Sequence, residues 1–157
     1  MNKMNNKGFS LVELIVVIAI MAVLMGVLAP TLIGNIEKSR ESKDLQNLDT
    51  VYGRVNDALA TEAVAEEAAS GLKATKLSEI LSGTSDLGTA LKESIGSTAP
   101  ELTATCNASS DIYVKIDVSD GNTQVTVFAS KDGSAVNNCT KTKDKDNKAK
   151  PMSVSGN

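Results

Sequence analysis

Apolar and polar positions divide this chain sharply near its start. Residues 1–8 are polar and carry Lys3 and Lys7. From Phe9 to Ala29 there follow 21 residues with a single charge, Glu13. Leu, Ile, Val, Met and Ala occupy every face of that run, so it is not the one-sided helix of a globular surface. As a helix at roughly 1.5 Å per residue it is about 30 Å long, the thickness of a bilayer's hydrocarbon core. Such a segment either spans a membrane or is buried against copies of itself. Pro30 closes the run. It lacks an N–H and clashes with the carbonyl of Gly26, which predicts a kink or a locally unwound turn.

The next residues, 34–44, are polar and of mixed charge. Glu37/Arg40, Lys38/Glu41 and Arg40/Asp44 fall at i,i+3 or i,i+4 spacing, the pattern of a solvated helix surface. Then Leu45, Leu48, Tyr52, Val55 and Leu59 recur at alternating three- and four-residue steps, an amphipathic stripe. Residues 9 to about 62 therefore read as one long helix. Its first part, 9–30, is hydrophobic throughout, and 31–62 shares one face with a globular layer. Ala58–Ala69 are compatible with an extension, and Gly71 with a stop.

Residues 63–157 form the head. Lys76–Ser82 predict a helical turn or two, and Asp86 ahead of Leu87–Ile95 and Gly96 reads as a capped short helix. In residues 112–118, aliphatic side chains alternate with larger or polar ones, as in a half-buried strand. Asp120-Gly121 signals a hairpin, and Gln124–Ala129 is the returning strand. Asp132-Gly133 marks another turn before a short strand around Val136–Thr140. The predicted class is α+β: an antiparallel meander covered by the outer half of the long helix.

Composition narrows the chemistry. A chain of 157 residues has room for one compact domain beside a membrane segment. Phe9, Tyr52, Tyr113 and Phe128 are the only aromatics, so the head needs a source of stability besides large side chains. There is no histidine, which removes the usual general base and the commonest transition-metal ligand. A net charge of −3 provides no global drive toward nucleic acid or acidic lipid. Cys106 and Cys139 fall short of the four ligands of a structural zinc site, leaving free thiols or a disulfide as alternatives. Asp117, Asp120 and Asn122 do not match calcium-loop spacing. Asn107-Ala108-Ser109 and Asn138-Cys139-Thr140 match a glycosylation pattern that arises often by chance. No catalytic constellation, metal or cofactor is expected.

Glu13 carries the most information. A carboxylate inside lipid costs about 3 kcal/mol on insertion scales, so it implies a partner. A cleaved secretory signal accounts poorly for so long a run, and a plain anchor leaves Glu13 unexplained. The residues Lys7-Gly8-Phe9-Ser10-Leu11-Val12-Glu13-Leu14, with the apolar run ending at Pro30, resemble the class III signal of type IV pilins. That resemblance implies a leader, residues 1–8, cut by a prepilin peptidase between Gly8 and Phe9, and a methylated amine at Phe9. Both the leader length and the phenylalanine look like the type IVa branch. The new amine is cationic; buried alone it would be as costly as Glu13 alone, whereas a pair across two subunits satisfies both and sets their register. Phe9, Glu13 and Pro30 are thus the expected assembly residues.

The resemblance also implies the pilin fold, an extracellular head, and a disulfide between Cys106 and Cys139 bounding a C-terminal loop. Closing about 33 residues would contribute roughly 3–4 kcal/mol on the loop-entropy model. The implied life history is a single-pass precursor in the cytoplasmic membrane, passed by an inner-membrane assembly platform into a homopolymeric extracellular filament. Adhesion, twitching motility or DNA uptake would follow. The runner-up is a pseudopilin of a type II secretion or competence system, which shares the same signal. Lys141, Lys143, Lys145, Lys148 and Lys150, interrupted by Asp144 and Asp146, read as a solvated, partly disordered tail, with DNA or host-surface contact as the sharper alternative.

Overall fold

The computed structural model describes residues 9–119, 121–143 and 147–156. The first element, α1 (Leu11–Leu59), is a single long helix, and within it the chain divides into two compact units, Met1–Ile36 and Glu37–Asn157. In the first unit the helix stays wound through Gly26 and Pro30, so the unwound turn expected there is not present in the single chain.

In the second unit α1 buries a seam of Glu41, Asp44, Leu48, Val51, Val55 and Ala58. Leu45, Tyr52 and Leu59 flank that seam and are only partly buried, so the expected stripe is right in period but turned slightly about the axis. Leu48, Val51 and Val55 are fully enclosed, and burial of each contributes about 1.5–3 kcal/mol. The helix ends at Leu59, a little before 62. Thr61 turns its hydroxyl onto the Ala58 carbonyl at 2.7 Å, and the chain restarts as α2 (Glu62–Ala68). Gly71, in a left-handed conformation, follows as the stop.

A short strand that the sequence did not reveal, β1 (Leu72–Lys76), precedes α3 (Leu77–Ser82) and α4 (Asp86–Ile95). The N-cap of α4 is Ser85 rather than Asp86: the Ser85 hydroxyl accepts from the Gly88 amide at 3.0 Å. Gly88 lets the two helices close up, since a Cβ there would stand 2.3 Å from the Ile80 carbonyl oxygen.

The predicted hairpin is β2 (Asp111–Ser119) and β3 (Asn122–Ser130), joined by a two-residue connection in which Gly121 takes φ +77°. Its register aligns Ile112 with Ala129, Val114 with Val127 and Ile116 with Val125, one continuous aliphatic face in the core. On the opposite face Tyr113 stacks on Phe128, ring centroids 5.8 Å apart.

The next strand, β4 (Asn138–Lys143), does not continue the meander. It pairs with β5 (Ala149–Pro151) in a separate two-stranded sheet. The fourth strand of the main sheet is β6 (Ser153–Ser155), which pairs with β3 to make the antiparallel order β1-β2-β3-β6. Met152 is buried, and its backbone bonds to Asn137 and Ala129 at 2.8 and 2.9 Å; within the lysine-rich run read as a tail, residues 144–146 lie outside the described residues. A long N-terminal helix with a four-stranded antiparallel sheet is the α+β pilin arrangement expected.

Candidate functional site

The apolar segment is a helix without covering. Phe9 is 86 % exposed, and the large apolar side chains from Leu11 to Ile36 are likewise open. Glu13, also exposed, lies one turn from Phe9 in sequence and is the first acid of α1. Pro30 lies inside the helix, while Gly8 lies outside the described residues. Among the described residues α1 is the helix long and apolar enough to cross a membrane. An uncovered surface of this size on one chain demands lipid or other apolar helices.

A second constellation anchors the disulfide-bounded region. Asp44 is fully buried and accepts four hydrogen bonds. They come from the amides of Thr103 (2.8 Å) and Ala104 (2.9 Å), the Thr103 hydroxyl (3.1 Å) and the Asn107 side-chain amide (2.7 Å). Glu37, held near Arg40 at 3.6 Å, accepts from the Thr105 amide. Two carboxylates of α1 therefore cap the start of the 3-10 turn Thr105–Asn107, where orphan N–H groups favour anions. That turn carries Cys106, which is bonded to Cys139 with Cα atoms 5.4 Å apart. The Asn107 side chain also accepts from Asn137 (3.1 Å), and Asn137 donates to the Ser110 hydroxyl (2.8 Å).

Glu41, 2 % exposed, has a carboxylate oxygen within 4.8 Å of both disulfide sulfurs. Three ligand-type residues converge there, but sulfurs in a disulfide are not thiolates and do not bind a metal as such. Asn107 is 1 % exposed and engaged on both ends of its amide, so its glycosylation pattern marks a structural residue. The wet helix surface expected over residues 37–44 is thereby corrected: Glu37–Arg40 forms, whereas Glu41 and Asp44 turn inward.

These acids did leave a trace in the sequence. Glu41 and Asp44 continue the Leu48-Val51-Val55 spacing backwards, and an acid on an apolar stripe requires donors from elsewhere in the fold. At the surface, two groups titrate away from their ordinary range. The Asp111 carboxylate, 3.0 Å from Lys76, raises the Lys76 ammonium. The Ser134 hydroxyl and amide lower Asp132.

Compared with known protein families, residues 3–29 match the prokaryotic N-terminal methylation motif. The match spans Gly8, Phe9 and Glu13, and it corresponds to the class III signal of type IV pilins. No curated protein and no solved structure matches the chain.

Proposed function

We propose that this chain is a structural subunit of a type IV pilus. The observation that carries the reading is Glu13, a lone acid in an otherwise apolar helix, inside a matched N-terminal methylation motif. That motif is a signal for processing and assembly rather than an enzyme class. On this reading a prepilin peptidase cuts between Gly8 and Phe9 and methylates Phe9, and the bare helix leaves the membrane for a bundle of identical helices. Glu13 meets the Phe9 amine of a neighbouring subunit, so a misregistered subunit leaves two charges unpaired. The heads coat the bundle, each tied by its Cys106–Cys139 bridge. That bridge near the C-terminus favours a pilin over a secretion pseudopilin.

Intact mass and N-terminal sequencing of protein sheared from the cell surface test the proposal. A chain starting at methylated Phe9, lighter by two hydrogens, is expected. A chain starting at Met1 and confined to membranes would overturn it.

A further inference from the structure

We propose that the heads of neighbouring subunits meet through opposite charges, the cationic start of one head against the anionic end of another. The cationic face is Lys38, Arg40 and Lys43, at the start of the second unit. The anionic face is Asp57, Glu62 and Glu66, where α1 gives way to α2. This inference rests on the filament reading above and gives the head a partner, a second copy of this chain.

Folding sorts the charges at the first face. Residues 38–48 hold three bases and two acids, close to balance in sequence. Both acids, Glu41 and Asp44, are buried, whereas Lys38, Arg40 and Lys43 are exposed. Glu37, just ahead of them, accepts from the Thr105 amide and lies 3.6 Å from Arg40, which it partly neutralises. A stretch of nearly balanced sequence therefore shows solvent mainly cations.

The opposite sign gathers at the far end of α1. Residues 55–71 hold four acids and no base, and Asp57, Glu62, Glu66 and Glu67 are all exposed. Two of them are answered within the head. Arg54 lies 3.4 Å from Asp57, and Glu67 accepts from the Leu87 amide at 3.1 Å, which brings exposed Asp86 to the same end. Glu62 and Glu66, one turn apart on α2, have no ion pair among the described residues. The next base, Lys73, lies on β1 and lines a groove with Asp117.

Distance keeps the two faces from satisfying each other. Lys43 and Asp57 are 57 − 43 = 14 residues apart on one helix. That is about 21 Å, or roughly two Debye lengths at 0.1 M salt. Complementary faces at opposite ends of one molecule make a heterologous contact, which propagates instead of closing as a two-fold dimer. A filament has that symmetry, and this selects a second copy over a foreign partner. Exposed ion pairs contribute little each, so the contact orders the heads while the apolar helices supply most of the affinity.

Two experiments on the full chain test the contact. Sheared filaments are treated with a carbodiimide, which joins a lysine amine directly to a carboxylate, and the joined peptides are mapped by mass spectrometry. Lys38 or Lys43 is expected to be joined to Asp57, Glu62 or Glu66. At about 21 Å or more within one head, such a link comes only from two copies. Separately, Lys38→Glu/Lys43→Glu should lower filament yield at least about tenfold, as should Glu62→Lys/Glu66→Lys, and the four changes together should restore it. Urea midpoints of the purified chains separate a lost contact from a lost fold, and where a double variant misfolds the crosslink map decides alone. Absence of these crosslinks, or wild-type yield from both double variants, would overturn the contact and leave the filament reading standing. If Lys38→Glu/Lys43→Glu filaments formed normally and lost only affinity for an oligonucleotide, the cations would belong to nucleic acid and the contact would fall. A wild-type chain that gave no filaments to shear would overturn the pilus reading and this contact with it.

Discussion

Asp44 on the long helix and Asn107 in the loop before β2 are joined by a 2.7 Å hydrogen bond between two side chains sealed from solvent. The bond closes 63 residues of chain and holds in place the turn that presents Cys106 to Cys139. Around it the Ala104 amide and the Asn107 side-chain amide are buried and donate to the same carboxylate. Asp44→Ala is therefore expected to destabilise the head by about 3 kcal/mol, through buried donors left without an acceptor. Asp44→Asn, which keeps one acceptor oxygen, should cost less. Urea midpoints of the full chain in mild detergent decide the matter. An unchanged midpoint for Asp44→Ala would mean the network contributes nothing to stability.

The disulfide acts on the same turn by a different route, restricting the unfolded chain across a separation of 33 residues. Cys106→Ser with Cys139→Ser should lose roughly 3–4 kcal/mol on the loop-entropy model. Because Asp44 and Glu37 still hold residues 103–105, the reduced head should remain folded in the absence of denaturant. Combining the cysteine pair with Asp44→Ala removes both restraints and should unfold the region after α4. Amide exchange over 99–110, compared among the three variants, checks this order.

The chain's end is a working part of the sheet. Met152 is buried between the Asn137 and Ala129 backbones and leads directly into β6. Met152→Ala should cost about 2–4 kcal/mol through the cavity it leaves. Exposed Lys131→Ala should shift stability by no more than about 0.5 kcal/mol. Equal midpoints for the two variants would count against the β6 pairing.

What could be read from the sequence was local and periodic. The run from Phe9 to Ala29, the spacing of Leu48 and Val55, and the alternation through Ile112, Val114 and Ile116 each announce an element without reference to the rest of the chain. Asp44 continues the buried spacing, but its donors lie 59 to 63 residues away and nothing local announces them. A mixed-charge run looks solvated until the fold brings backbone amides to it. The strand β6 escaped notice because three residues cannot display a period, and its register comes from β3. Likewise β4 read as a fourth strand of the meander, since nothing local distinguishes pairing with β3 from pairing with β5. Glu13 was legible for the opposite reason: an acid in an apolar run is conspicuous whatever surrounds it.

Two exposed groups set modest pH dependences at opposite ends of the range. The Ser134 contacts lower Asp132, so their stabilisation is present above its unfolded value, about pH 4, and fades as pH falls through the depressed folded value. Lys76 is raised by Asp111, so that contribution is complete below about pH 10 and disappears as pH rises through the elevated folded value. Asp132→Asn should flatten the acid limb of a melting-temperature profile, and Lys76→Met the alkaline limb. Salt should weaken the second effect, because both partners face water. A Lys76→Met profile that tracked the wild type above pH 10 would show the pair to be inert.

Glu13 separates an assembly signal from a simple anchor by the sign of two effects. A carboxylate within the hydrocarbon region opposes insertion by about 3 kcal/mol, so Glu13→Ala should enter the membrane at least as well as the wild type. Gly8 and Phe9 are unchanged, so cleavage and methylation should proceed. A plain anchor would gain from the substitution in every respect. A subunit whose register depends on pairing Glu13 with the Phe9 amine of its neighbour loses that pairing and leaves the amine buried without a counter-charge. Losing even 1.4 kcal/mol per subunit contact lowers the assembly equilibrium about tenfold, and the loss repeats along the filament. Processed Glu13→Ala chains should therefore accumulate in the membrane while the sheared-filament fraction falls by at least about tenfold. N-terminal sequencing and quantification of both fractions read the two effects independently, and filaments at wild-type yield would remove Glu13 from the assembly mechanism.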